Sequence, residues 1–176
     1  VPWLHLETIA QQAGETLGAN PRAANQSNYD LAINDEATEE FVGRRGIGDI
    51  DISPDNKVLY ATNLNTGSVY AIRISDKALL KTLKFNGTLA TKNGRNCVAN
   101  DVRVFGLGIK GSGEIFVGAV CSAQSTQNRD DLFYYVYKFD PNNNYAQKLV
   151  SSASLDYDRD KAEVPYVSKV AGTPMP

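Results

Sequence analysis

The chain holds a single histidine, one methionine, one tryptophan and two cysteines in 176 residues. His5 has no Ser or Cys neighbours from which a triad is built, and zinc sites draw on more His and Cys than this. It reads as a surface or packed residue. Cys97 and Cys121 are too few for a disulfide scaffold. Long apolar runs are missing: a stretch such as Val69 to Ile72 is far too short to span a bilayer. The net charge of −2 supplies no electrostatic footprint for nucleic acid or an anionic membrane. No glycine-rich phosphate loop exists, because Gly106-Leu107-Gly108 precedes a strand pattern and not a helix. The chain begins at Val1 without a charged segment followed by an apolar one, and a removed signal peptide or an upstream cut would explain that start.

What is present is tyrosine, nine of them, with frequent Asn, Ser and Thr, a β-rich composition with polar turns. The middle of the chain repeats. Asp51 to Ala61 (DISPDNKVLYA) aligns with Gly108 to Gly118 (GIKGSGEIFVG) at an offset of 57, matching Ile52 to Ile109, Val58 to Ile115 and Tyr60 to Val117. The match resumes at an offset of 65, Tyr70 to Ile74 on Tyr135 to Phe139, after an insertion within the polar stretch Ser122 to Phe133. Each copy predicts four strands, 48–53, 57–63, 68–74 and 79–85, then 103–109, 114–120, 134–139 and 145–151. Pro54, Asp55-Asn56, Asn65-Thr66-Gly67 and Lys110 to Gly113 carry turn chemistry. Meanders of this kind bury both faces by stacking around an axis, so the expected fold is all-β and a partial β-propeller of at least two blades; a β-sandwich is the alternative. Propellers hold about four to eight blades, which makes a fragment of a larger one the favoured reading.

The domain reading is an irregular segment at 1–45, a blade and connection at 46–99, a blade at 100–151 with its insertion at 122–133, and an extended segment at 152–176. Residues 1–9 alternate weakly and predict one strand, 11–28 read as loop, and 35–41 as a helical turn capped by Asp35. Two glycosylation triplets, Asn25-Gln26-Ser27 and Asn86-Gly87-Thr88, matter only in a eukaryotic secretory pathway.

The segment Gly46 to Leu64 (GIGDIDISPDNKVLYATNL) resembles the blade motif of bacterial secreted and cell-surface β-propellers, a group often fused to B-type repeats like those of staphylococcal adhesins. Asn100 to Gly108 and Val117 to Ala123 look like its next blade, and Asn28-Tyr29-Asp30 and Leu155-Asp156-Tyr157 like its interblade segments. The resemblance covers about 28–160 and implies an extracellular location with no assigned activity. Asn100-Asp101 also resembles, more loosely, the Asn-Asp ligand segment of six-bladed propellers of the gluconolactonase and regucalcin type, which hold a divalent cation. Their N-terminal Glu ligand has no counterpart here.

These patterns name the candidate residues. Alternation puts Asp49 and Asp51 on one face, either ligating Ca²⁺ or bonding to a neighbouring blade; Gly106 and Gly108 at the matching positions favour the second. Asn100 and Asp101 either ligate a cation or cap a turn. Asp156, Asp158, Asp160 and Glu163 suggest a calcium loop but lack its glycine, with Lys161 in that place, so a solvated acidic turn is favoured. Ser122, Gln124, Gln127, Arg129 and Asp130, in the insertion, form the candidate contact surface, because long loops on rigid scaffolds carry binding. Cys97 and Cys121 are expected to bridge because the extracellular resemblance implies an oxidising compartment; the geometry permits it, since the second hairpin sets Val102 opposite Cys121 and a bend at Asn100 can return Cys97 to the same end. Two free thiols are the competing state.

The functional expectation is a non-catalytic extracellular module for surface structure, adhesion or assembly, its partners being the remaining blades or another chain. The alternative is a Ca-dependent lactonase or esterase.

Overall fold

The computed structural model describes residues 3–19, 41–85, 89–92 and 94–155. The eight expected strands are all present, as two four-stranded antiparallel sheets in chain order. The first joins β1 (Ile47–Ile52), β2 (Val58–Asn63), β3 (Ser68–Arg73) and β4 (Leu79–Leu83). The second joins β5 (Val102–Ile109), β6 (Ile115–Cys121), β7 (Phe133–Asp140) and β8 (Ala146–Ser154). The turns follow their residues. Asn56 takes the left-handed region at φ 57° between β1 and β2, and Gly113 does so at φ 88° between β5 and β6. β8 runs on to Ser154, past the expected end at 151.

Two expectations are corrected. The N-terminal strand is instead the helix α1 (Leu6–Gln12), because Leu6, Ile9, Ala10 and Ala13 recur at helical spacing. The repeat also slips by one residue at its first turn. Ile52 pairs with Leu59, whereas Ile109 pairs with Ile115, so the second turn is one residue shorter. Ile52 keeps Ile109 as its counterpart, but Tyr60 corresponds to Phe116 and Ala61 to Val117. Since Ala61 pairs with Tyr70 and Val117 with Tyr137, Tyr70 corresponds to Tyr137 and not to Tyr135. A β-bulge follows Ile47 in one sheet and Val104 in the other, at matching places.

The sheets stack with unlike faces together. Ser53 N–H bonds to Val58 O (2.8 Å), so Asp51, in step with it, directs its backbone groups at β2; its side chain meets the second sheet. Lys110 N–H bonds to Glu114 O (2.9 Å), so the residues in step with it are Gly108 and Gly106. Yet the β5 side chains that pack against the core between the sheets are the alternate ones, Leu107 and Ile109. For L-residues this parity identifies the face, given the same strand order. We call the Asp51 face of the first sheet its front; the Leu107 face of the second is then its back. Front meets back, head to tail.

The core fills this junction: Tyr60, Val69, Ala71 and Leu83 from the first sheet, and Val104, Ile115, Val117, Tyr135 and Phe139 from the second. Each fully buried aliphatic or aromatic side chain of this kind contributes about 1.5–3 kcal/mol. Behind the first sheet, Ile9 and Ala10 of α1 bury against Tyr70 and Ile72. Among the described residues, no helix is long and apolar enough to cross a membrane.

Candidate functional site

The acidic residues of β1 act between the sheets. Asp49 Oδ2 accepts the Leu107 N–H (2.9 Å) and Asp51 Oδ2 accepts the Ile109 N–H (3.2 Å). Their other oxygens accept Ile50 N–H (2.8 Å) and Ile52 N–H (2.7 Å). Leu107 and Ile109 direct these N–H groups away from β6, at an edge where β5 has no strand partner in its own sheet. The two carboxylates therefore satisfy donors that a neighbouring strand would otherwise take. Gly48 permits the approach: a Cβ there would lie 2.6 Å from Val104 O and 2.9 Å from Thr62 Oγ1.

Asp101 ends a single 3₁₀ turn, Ala99–Asp101, and is 1% exposed. Its carboxylate accepts the Ser125 N–H (3.0 and 3.1 Å to the two oxygens) and the Ser125 hydroxyl (2.8 Å), while its carbonyl accepts the Ser122 N–H (2.8 Å). It clamps the insertion against β5. Asn100 beside it is exposed. Asp49 and Asp101 thus serve different places, one the sheet junction and the other the 122–125 loop. Among the described residues, no group of three or more His, Cys, Asp or Glu gathers as a metal site requires. Asp156, Asp158, Asp160 and Glu163 lie outside the described residues, as do the glycosylation triplets, Asn28-Tyr29-Asp30 and most of the 35–41 segment.

The insertion is a built loop. Asn128 Oδ1 accepts the Asp130 N–H (3.0 Å) at the start of a second 3₁₀ turn, Arg129–Asp131. Asp131, 4% exposed, accepts from Thr91 Oγ1 (3.1 Å) and pairs with Arg95 (2.9 Å), tying the loop to the β4–β5 connection. Of the proposed contact residues, Gln127 and Arg129 are exposed, while Ser122, Gln124 and Asp130 are half-buried. Gln127 Nε2 donates to Gln124 O (2.7 Å).

Cys97 and Cys121 form a disulfide with Cα atoms 5.8 Å apart. Val102 pairs with Cys121 as the hairpin requires, and the 3₁₀ turn at Ala99–Asp101 supplies the bend. A groove of about 330 Å³ lies beside the bridge, lined by Thr66, Gly67, Lys84, Phe85, Asn96 and Cys97 among others.

A cluster missed in the sequence centres on Glu15. Its carboxylate accepts from Thr66 Oγ1 (2.7 Å), Ser68 Oγ (2.9 Å) and Tyr70 OH (2.7 Å) and pairs with Lys84 (2.7 Å). Asn63 Nδ2 donates to Tyr70 OH (2.6 Å) and to Thr16 O (3.1 Å). Burial raises the Glu15 pKa, but Lys84 and the three hydroxyls together hold it below the ordinary value. Its signal in the sequence is slight: a lone acid in a stretch without clear period.

Compared with known proteins, the chain matches no protein-family model and no curated protein.

Proposed function

We propose that the chain is a blade-bearing segment of a β-propeller and serves as a non-catalytic extracellular module for surface structure, adhesion or assembly. The front-to-back stacking of its two meanders carries this reading. A sandwich related by a two-fold axis would bring equivalent faces together, whereas a propeller repeats one unlike junction around its axis. The first strands β1 and β5 lie against each other, as strands nearest an axis do.

The acidic residues support a structural role, since Asp49, Asp51, Asp101, Glu15 and Asp131 each accept hydrogen bonds that join one part of the chain to another. The disulfide favours an oxidising compartment, and with it the extracellular location.

The test is a panel of lactones and esters incubated with the protein with and without Ca²⁺, beside a calcium titration by calorimetry. The expected result is no calcium-dependent turnover and no stoichiometric binding. Turnover that requires Ca²⁺ would overturn the reading in favour of the gluconolactonase type. Cryo-electron microscopy of the natural assembly tests the propeller itself, which predicts these sheets as neighbours around an axis.

A further inference from the structure

The front of the second sheet, the face turned away from the first, carries a buried cation without an ion-pair partner. Val104 and Ala119 pair across β5 and β6 and pack in the core, so the neighbouring pair, Arg103 and Val120, stands on the opposite face. Arg103 is 6% exposed. Its Nη1 donates to Val102 O (2.9 Å), while its Nε is shut from solvent and has no hydrogen-bond partner. Among the described residues, no carboxylate forms an ion pair with it. Asp101 acts on it from a distance, but both Asp101 oxygens are taken by Ser125. Burial and then the nearby Arg44 draw the Arg103 pKa down, against the pull of Asp101.

A second unpaired group lies on the same patch. Ser122 is two residues beyond Val120, and its N–H still bonds across to Asp101 O (2.8 Å), so its side chain shares the Arg103 face. Its hydroxyl oxygen is likewise buried without a partner. Diagonal neighbours across a strand pair lie within reach of long side chains, yet Arg103 and Ser122 do not bond to each other. Buried polar groups in folded proteins are almost always paired, and a buried charge is the costliest to leave alone. One anion that accepts from both groups answers both deficits.

The free edge selects the anion. With Nη1 engaged, what remains is Nε–H beside Nη2, the side-on fork that takes the two oxygens of a carboxylate in one plane. The Ser122 hydroxyl can donate to one of those oxygens as well. The Asp101 charge nearby opposes a second negative charge on the ligand.

We propose that Arg103 and Ser122 bind a monocarboxylate, its two oxygens on the Nε–Nη2 edge and one of them accepting the Ser122 hydroxyl. Because Nε is shut from solvent, the ligand enters as the Arg103 side chain swings outward. The carboxylate is that of a free small acid or of a Glu or Asp side chain on another protein. The site depends on neither the propeller arrangement nor calcium, so it and the proposed function fail separately.

Heteronuclear NMR tests it through the Arg103 Nε–H signal, which burial protects from rapid exchange with water. Arg103→Lys removes that signal and so assigns it; where this variant misfolds, through-bond assignment replaces it. Sodium acetate is titrated against sodium chloride at constant ionic strength. The expected result is a saturating shift with acetate and none with chloride. Ser122→Ala removes a hydroxyl that has no partner, so the fold is retained. It is expected to bind acetate about tenfold more weakly, as the loss of one hydrogen bond to a charged group requires. N-acetylglutamate α-amide separates the two sources: tighter binding than acetate assigns the carboxylate to a protein side chain, weaker binding to a free acid. A shift that grows without saturating or an equal response to chloride would overturn the proposal. So would tighter binding of inorganic phosphate, or an affinity unchanged in Ser122→Ala.

Discussion

Asp101 shows how one buried carboxylate organises a loop. It is nearly free of solvent, and both its oxygens take donors from Ser125. Removing it takes a charged acceptor from the Ser125 N–H and hydroxyl, and hydrogen bonds to charged groups contribute about 1.5–3 kcal/mol each, part of which water recovers because Ser125 is exposed. Asp101→Ala is therefore expected to lower stability by about 2 kcal/mol in urea unfolding. Backbone hydrogen exchange should quicken first between residues 122 and 128. A variant with unchanged stability and exchange would show that the loop holds itself. The pair Asn100-Asp101 was conspicuous in the sequence, but its two readings, ligand and turn cap, differ only in what stands opposite. That partner is Ser125, whose sequence neighbours give no sign of the contact.

At the scale of elements, α1 is held by packing and by charge. Ile9 and Ala10 supply the apolar contact, and Glu15, just after the helix, anchors to Thr66, Ser68, Tyr70 and Lys84. The folded pKa of Glu15 lies below its ordinary value of 4.5. A depressed carboxylate contributes stability that is fully present above the unfolded pKa and is lost as pH falls through the folded one. Melting temperature should therefore decline as pH drops below about 4.5. In Glu15→Gln it starts lower at neutral pH and declines less steeply with acid. Melts recorded across this range by circular dichroism check both slopes; parallel curves would remove Glu15 from the acid transition. The helix itself was legible in the spacing of Leu6, Ile9, Ala10 and Ala13. The weak alternation of residues 1–9, which overlap its first turn, pointed instead to a strand, and the cluster that fixes the segment joins residues far apart in the chain.

Across the whole molecule, the decisive contact is that of β1 with β5. Gly48 lets the two backbones approach, since a Cβ there would press on Val104 O and Thr62 Oγ1. Gly48→Ala is expected to cost about 1–3 kcal/mol, the usual penalty of overpacking. Gly106→Ala, at an open position, should cost much less, and equal effects in denaturant unfolding would deny the close approach. The disulfide acts on the same scale by joining Cys97, before the second sheet, to Cys121 at the end of β6. Closing a span of 24 residues contributes about 3 kcal/mol in the chain-entropy model. Reduction should lower the unfolding midpoint accordingly. Intact mass should rise by about 2 Da as two thiol hydrogens are gained. An unchanged mass on reduction would exclude the bridge.

The sequence by itself determined the eight strands, their order within each sheet and the turns between them. Those features depend on local alternation and on residues such as Asn56 and Gly113 that accept left-handed geometry. It permitted the disulfide without deciding it, because hairpin register places Val102 opposite Cys121 and leaves Cys97 a short connection away, while two free thiols fit the same register. Tertiary structure decided the rest. The one-residue difference between the first turns is invisible to an ungapped alignment, since Val58 and Ile115 are both apolar; only pairing register exposes it. The roles of Asp49 and Asp51 depended on which face met β5, and alternation says that two residues share a face without saying what lies opposite. Front and back are distinguished by backbone chirality and strand order together, and their meeting is a property of two packed sheets that neither sheet's sequence contains.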